Sequence, residues 1–441
     1  MSNKTEHPFI EIHVIQSFAV SALNRDEGNV PKWCTFGGVR RARVSSQSWK
    51  YAMRHNSLFQ ETTGQDISAR TKFLERKIKE NIGNGQKPGE VDVVVSAFVS
   101  KYSGGTKTDK NGQLITKVLL FLSTDEMKEM ADALQGKWQI FHVEALAEKA
   151  AQDAKEAEKK NKRGKKSAKA DQTAGESIDI QPAEESTEPD ASIESDKSEM
   201  GKLAKQFQKK FGGRVSAADI ALFGRMLAEG NEAKKVEAAC QVAHPISTHH
   251  AELQDDFYTA MDDLQTSDDV GGGAMIGNLD FTAPCLYRYA RLDWQELKNN
   301  LEPRQDLVRP TAEAFLQTFI RAVPSARQNS MASPTPPSFV MVVVRSRGEA
   351  WSLANAFEKP VEQKNGSGIV APSIKALDEQ WELVSSGYDD QPSTISKVFY
   401  MVKIREHIEL SHIPKSTEAP TNNVNQLVKS VMDAIVSATG T

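Results

Sequence analysis

Alternating apolar and polar positions open the folded part of the chain. From Phe9 to Ile15, Ile10, Ile12 and Val14 fall on one side, the period of a strand. A loop with Gly28 and Pro31 follows. Gly37-Gly38 then marks a point where the backbone can turn left-handed or approach a ligand closely. Val39–Val44 predicts a short strand, on which period 2 would put Arg41 and Arg43 on one face and Arg40 with Val44 on the other. Ser45 or Ser46 predicts the N-cap of a helix to about Leu58. Its apolar face is Trp49, Ala52 and Met53, and Gln47, Lys50 and Arg54 share another.

Lys72–Ile82 predicts an amphipathic helix through Leu74, Ile78 and Ile82. The apolar runs Val91–Val99 and Leu114–Leu122 flank an Asp109–Gly112 turn and predict a hairpin. Ser123 and Glu126 form a capping-box pattern that starts a helix to about Leu134. Folded sequence resumes near Leu203. Asp219–Met226 reads as a helix or a strand entering a loop at Gly224. Cys240–Phe281 is polar, rich in His and Asp, and carries Gly271–Gly273, as for a long extended excursion. Phe315–Val323 is helical, Phe339–Val344 has the β-branched continuity of a central strand, and Pro372–Ser385 is an amphipathic helix. Val398–Ile404 gives another strand and Val424–Val436 a C-terminal helix. Helices and strands mix without regular βα repetition, so the class is α+β.

Ala151–Met200 interrupts this pattern. It has no aromatic residue, its first third is Lys/Arg-rich (KKNKRGKKSAK), and residues 171–200 hold ten acids against one Lys. Such a composition buries too little apolar surface to offset chain ordering, and predicts a disordered insert. Over all 441 residues, 39% hydrophobic and 26% charged content fits a soluble globular protein. No window approaches the roughly 20 apolar residues that span a bilayer. The first apolar strand contains Glu11 and His13 and so is no signal peptide. Three widely spaced cysteines, Cys34, Cys240 and Cys285, argue against a disulfide framework and for a reducing cytoplasm.

Charge singles out one stretch. Leu23–Arg54 holds seven cations (Arg25, Lys32, Arg40, Arg41, Arg43, Lys50, Arg54) against Asp26 and Glu27, on a chain whose net charge is only −4. A local basic excess on a near-neutral chain is the footprint expected for a polyanion. Lys50 and Arg54 beside the helix N-terminus, with its free N–H groups, would make a phosphate-binding corner; a solvated charged face is the alternative. Phe257 and Tyr258 are the only Phe, Tyr or Trp in Gln241–Asp280, a placement suited to base stacking; alternatively Phe257 packs inward while Tyr258 keeps its hydroxyl at the surface. Cys240, His244, His249 and His250 lack the spacing of a closed zinc site. The pairs Asp255-Asp256, Asp262-Asp263 and Asp268-Asp269 read as a solvated face rather than a two-metal site. No phosphate loop or nucleophile elbow is present, and no catalytic residue, metal or cofactor is expected.

The run LNRD followed by FGGxRRxRxSSQSxKxAMR resembles the CasC family, the backbone subunit of the type I-E CRISPR surveillance complex, Cascade. DIALFGRM (Asp219–Met226), VAHPISTHH (Val242–His250), FYTAMDDLQ (Phe257–Gln265), LYRYA (Leu286–Ala290) and SLANAFEKPV (Ser352–Val361) extend it in order over residues 9 to 385, with departures between about Thr62 and Val215. The resemblance implies an RNA-recognition-motif-like, ferredoxin-like palm (1–60 and 286–441), a helical fingers insertion (61–225, with the linker at 151–200) and a β-hairpin thumb (226–285). No aromatic RNP signature is visible. It implies a non-catalytic subunit that oligomerises along a CRISPR guide RNA with further copies of itself and other Cascade subunits, meeting target DNA through the guide. Its implied RNA contacts are Asn24, Arg25, Lys32, Gly37, Gly38, Arg40, Arg41, Arg43, Ser45, Ser46, Gln47, Lys50, Arg54, Arg225, Met226, Phe257, Tyr258 and Thr259, with Met226 and Tyr258 flanking displaced bases. Two other readings stay open: target-RNA cleavage as in type III complexes, with Asp26 as first candidate, and an assembly protein whose basic stretch meets an acidic protein neighbour.

Overall fold

Phe9–Ser17 (β1) is the strand on which the first unit is assembled. In the computed structural model, which describes residues 7–64, 67–170, 198–211, 215–225, 235–260, 263, 275–363, 368–388, 395–413 and 421–439, it is buried on both faces. Cys240–Val242 (β2), Cys285–Asp293 (β3), Phe339–Arg345 (β4) and Ile395–Val402 (β5) complete its sheet in the order β5-β4-β1-β3-β2, every neighbour antiparallel. Ile12 faces Ala290 on one side and Val342 on the other. A two-residue strand, Ile246–Ser247, pairs with Leu286 and Tyr287 further along β3.

Alternation predicts one apolar face for β1, yet Glu11 and His13 on the other face are equally buried. Partners make that possible. Glu11 takes the Arg345 guanidinium at 2.5 Å, the Tyr289 hydroxyl at 3.1 Å and the Trp351 N–H at 2.7 Å. His13 Nδ1 lies 2.9 Å from the Tyr287 hydroxyl. Above this polar strip, Ile374, Leu377 and Trp381 of the Val370–Gly387 helix close a core with Tyr287, Phe339 and Met341. On the reverse side the Val424–Thr439 helix packs on β4 and β5, and Phe319 of the Val308–Arg321 helix accepts from Arg288 of β3 through its carbonyl. With both its faces covered, β1 offers no open surface of the kind the central strands of a free-standing RNA-recognition module use.

The chain divides into two compact units. The first comprises Met1–Ile67, Arg214–Gly224 and Glu237–Thr441; the second, Ser68–Gly213 and Arg225–Val236. The second is a helical cluster in which Leu74, Val94, Phe98, Met130, Leu134, Phe141 and Phe207 share one core. Ser123 caps the Thr124–Gly136 helix with both bonds of the capping box formed.

Two expectations in this second unit are corrected. Val91–Val99 is no strand but the middle of a helix, Pro88–Ser103. Its buried residues Val91, Val94, Val95, Phe98, Val99 and Tyr102 repeat at helical spacing, Pro88 stands at the start, and Gly104 at φ +76° ends it. The Asp109–Gly112 turn does form, joining the short strands Thr106–Thr108 and Leu114–Thr116. The expectation of disorder also fails for residues 151–170, which are helical. One helix runs from Trp138 to Ala170 and another begins at Glu199, so only residues 171–197 of the insert lie outside the described residues. Ala, Glu, Lys and Gln are strong helix formers, and lacking aromatics does not oppose a helix.

His13 gives the first unit one acid-sensitive contribution. Burial, reinforced by the Arg345 charge, holds its imidazole down to about 3. The unfolded chain takes up a proton near pH 6.5 that the folded chain refuses, so stability present above that pH is lost as pH falls toward 3. The expected slope from this group is about 1.4 kcal/mol per pH unit. Denaturant unfolding between pH 7 and 4 checks it: His13→Asn should flatten the acid limb, and an unchanged limb would contradict the assignment.

Candidate nucleic-acid interface

The basic stretch folds as a hairpin leading into a helix. Trp33–Phe36 pairs with Val39–Ala42, and Gly37 and Gly38 turn between them at φ +60° and +77°. Positive φ at both positions is the type I′ requirement. Gly37 is doubly constrained, since a Cβ there would stand 1.7 Å from the Glu358 carbonyl oxygen. Arg41, opposite Cys34, points inward. It donates from Nε to Phe36 O (3.2 Å), from Nη1 to Ser247 O (3.2 Å), and from Nη2 to Phe357 O (2.7 Å) and Glu358 O (3.2 Å). Arg41 is therefore fully buried and faces carbonyls, which removes it from the expected phosphate contacts.

The outward face differs. Trp33 and Thr35 are exposed, and the Arg40 guanidinium sits 4.6 Å from the Trp33 ring centroid. Arg43, half-buried, brings Nη1 to 3.0 Å from His244 Nδ1. Desolvation, then the Arg43 and Lys32 charges, lowers the His244 pKa. Asn24 ties the preceding loop to the helix: its Oδ1 accepts from Ser45 N at 2.9 Å, and its carbonyl accepts from Lys32 N. Arg25 Nη1 donates to Asn29 Oδ1 at 2.8 Å, and Arg25, Asp26, Glu27, Gly28 and Lys32 line a shallow concavity. Asp26 Oδ1 accepts from Gly28 N (2.9 Å) and Val30 N (3.1 Å), closing its own turn.

The helix spans Ser46–Arg54, ending earlier than Leu58 because Asn56 caps a second helix, Ser57–Thr63. Ser45 holds the N-cap position with extended backbone, but its hydroxyl makes no capping bond. Trp49 and Met53 are buried as expected. The anticipated polar face splits. Gln47 is exposed and Lys50 half-buried, its Nζ 5.8 Å from the Phe223 ring centroid. Arg54 is buried against Asp219 at 2.9 Å, so it too is a structural cation rather than a phosphate ligand. Asp219, buried on the Ala218–Phe223 helix, requires that partner. On the opposite side Tyr51, exposed, stacks on His55 with centroids 3.9 Å apart, a pair the sequence marks only by its i, i+4 spacing.

Arg225 is the third cation to be corrected. In the second unit it is buried, Nη1 2.9 Å from Glu126 Oε1 and 3.2 Å from Phe121 O. Met226 lies outside the described residues. Among the described residues, Arg25, Lys32, Arg40, Arg43 and Lys50 remain as cations of the stretch outside any ion pair.

The polar arm is a two-stranded ribbon, Gln254–Ala260 against Met275–Phe281, and every residue of its first strand is exposed. Phe257 is 65% exposed, so the inward-packing alternative fails. Tyr258 is 40% exposed and lies across Gly277, where a Cβ would come within 2.4 Å of its Cζ. Thr259 faces Ile276. Met275 and Ile276, both exposed, put apolar surface on either side of the ribbon; no local pattern marks them, since their exposure depends on pairing with Gln254–Ala260. Gly271–Gly273, Asp262, Asp268 and Asp269 lie outside the described residues.

The zinc candidates disperse. Cys240 is buried, its thiol pushed up to about 12 by burial, and His249 Nε2 accepts from Cys285 N at 3.1 Å while Nδ1 donates to His250 O. Among the described residues, no group of three His, Cys, Asp or Glu is placed to hold a metal, and no helix is long and apolar enough to cross a membrane.

The division of arginines can be checked by stability alone. Arg41→Ala strands four carbonyls and should lower unfolding free energy by about 1–3 kcal/mol. Arg43→Ala, at the surface, should stay within about 0.5 kcal/mol. Equal losses in thermal melts would show that Arg41 is not the pin.

Solved structures show where this fold recurs. A chain titled "CRISPR RNA-guided surveillance complex, pre-nicking" superposes with a TM-score of 0.71 at 24% identity, covering 97% of this chain and 100% of its own. A second, titled "CRISPR RNA-guided surveillance complex", gives 0.53 at 20% identity, covering 97% and 99%. Identities this low speak for the fold. No curated protein matches. The profile of the CT1975-like proteins (Cas_CT1975) matches residues 10–429, nearly the whole chain, and by that match the chain belongs to the CT1975-like family of CRISPR-associated proteins.

Proposed function

We propose that this protein is a non-catalytic RNA-binding subunit that assembles, copy upon copy, along a CRISPR guide RNA as the helical backbone of a type I-E Cascade complex in the cytoplasm. The observation that carries the reading is the set Arg25, Lys32, Arg40 and Arg43, outside any described ion pair, on and beside a hairpin pinned from behind by Arg41. Held cations on a rigid turn suit a phosphate backbone. Lys50, Gln47, Ser45, Ser46 and Asn24 border the same corner, and Gly38 leaves open space above the turn.

The strand order supports an RNA-recognition-motif-like palm. Within β5-β4-β1-β3-β2, the four strands β4-β1-β3-β2 have the antiparallel 4-1-3-2 order of the split βαβ fold, with β5 added at an edge. The second unit would be the fingers and the 254–281 ribbon the thumb, with Phe257, Tyr258 and Thr259 set to wedge beside displaced bases. Neighbouring subunits of the complex and target DNA paired to the guide complete the partners. Sequence is then read by pairing, while the protein reads backbone and shape. Asp26, whose carboxylate closes its own turn, gives the cleavage alternative no support.

Salt dependence tests the phosphate contacts. Log affinity for single-stranded RNA should fall with log salt at about −0.7 per phosphate contacted, and Lys32→Ala or Arg43→Ala should each make the slope shallower by nearly one contact. Salt-independent binding, or strong discrimination between unrelated RNA sequences, would sink the reading.

For the ribbon, Phe257→Ala or Tyr258→Ala should leave the fold intact and weaken base displacement by about 1–3 kcal/mol per subunit. Chemical probing of the bound guide should show regularly spaced reactive nucleotides that blur in these variants. A periodic pattern unchanged in both would place the wedge elsewhere.

A further inference from the structure

Trp33 differs from the other tryptophans. Trp49, Trp138, Trp294 and Trp381 are buried and Trp351 is partly covered, whereas Trp33 leaves 49% of its surface open. It shares the outward face of the hairpin with Thr35 and Arg40. The Arg40 guanidinium at 4.6 Å from the centroid takes one side of the indole, so the open half is the other side and the ring edge. The mount is rigid, because Arg41 fastens the hairpin to Ser247, Phe357 and Glu358 and Gly37 lies against Glu358. Cations surround it: Lys32 precedes it, and Arg43 Nε approaches its carbonyl at 3.5 Å. A protein contact at this position would call for a broader apolar patch, and Trp33 is the one large hydrophobic side chain of the hairpin that is exposed.

We propose that Trp33 is a stacking shelf for an unpaired nucleobase of the bound RNA, a subsite that rests on the reading of this corner as a phosphate interface. Arg40, the indole and the base form a three-layer stack in which the guanidinium draws on the ring from one side and the base covers the other. Phosphates flanking that base fall to Arg43 and Lys32. Stacking tolerates any base, because each has a π-face, so the subsite adds affinity without adding sequence preference.

The test uses the full chain, a short oligoadenylate and inorganic polyphosphate. Trp33 is the most exposed indole, so oligoadenylate should quench tryptophan emission and shield it from iodide. Polyphosphate should compete for the corner without quenching. Trp33→Ala should weaken oligoadenylate binding roughly 5- to 150-fold and leave polyphosphate affinity unchanged. Trp33→Phe, which keeps a π-face and the Arg40 contact, should restore most of the loss. Equal weakening for both ligands, no weakening for either, or quenching that persists in Trp33→Phe would overturn the shelf. So would a change confined to self-association of RNA-free protein, which would make Trp33 a protein contact. If Lys32→Ala and Arg43→Ala leave both ligands unaffected, the phosphate reading falls, and the shelf with it. If those variants weaken both ligands while Trp33→Ala weakens neither, the phosphate reading stands and the shelf alone is refuted.

Discussion

One guanidinium organises the candidate interface. Arg41 reaches the carbonyls of Phe36, Ser247, Phe357 and Glu358, joining a surface hairpin to two segments more than 200 residues away in sequence. A planar five-donor fork can satisfy several carbonyls at once, which a lysine point charge cannot. A two-stranded hairpin is marginal by itself. Fastened in this way, it can hold Arg40, Arg43 and Lys32 in fixed positions, which limits the side-chain and loop ordering that binding would otherwise have to offset.

Buried cations recur through both units. Arg345 meets Glu11 in the first sheet, Arg54 meets Asp219, and Arg225 meets Glu126 in the second unit. Arg288 is buried between Trp49 and Phe319, bonded to Gln16 and the Phe319 carbonyl. Breaking such a buried pair typically costs about 3–5 kcal/mol, because the remaining charge is left uncompensated. These arginines therefore belong to the fold, and a basic stretch must be counted after they are set aside. Of the seven cations in Leu23–Arg54, Arg41 and Arg54 are of this kind.

Local chemistry was legible where one segment decides its own structure. The Ser123–Glu126 capping box, the Gly37-Gly38 turn and the apolar run at Phe339–Val344 all read correctly from a few residues. Misreadings arose where distant partners decide. Val91–Val99 is apolar enough for a strand, but Val91, Val94, Val95, Phe98 and Val99 also keep helical spacing, and Pro88 and Gly104, outside the run, bound it as a helix. Arg54 sits on a periodic polar face by sequence, yet Asp219 draws it inward across 165 positions. Glu11 follows the alternation of β1 and belongs by sequence on a solvent face, yet it is buried because Arg345, Tyr289 and the Trp351 N–H converge on it. The 151–170 segment lacks aromatics, as disorder would, but helix propensity alone can extend a helix already anchored by Trp138 and Phe141.

In the proposed function, RNA contact falls on a few half-buried, unpaired cations on and beside one pinned hairpin, and not on the basic stretch as a whole. The most direct measurement is the RNA content per subunit of protein purified from cells that make guide RNA, read from absorbance at nucleic-acid and protein wavelengths. Wild-type protein should carry RNA at a constant ratio, and the combined variant Lys32→Ala, Arg40→Ala, Arg43→Ala should lose it while melting at an unchanged temperature. RNA retained undiminished by that folded variant would contradict the account.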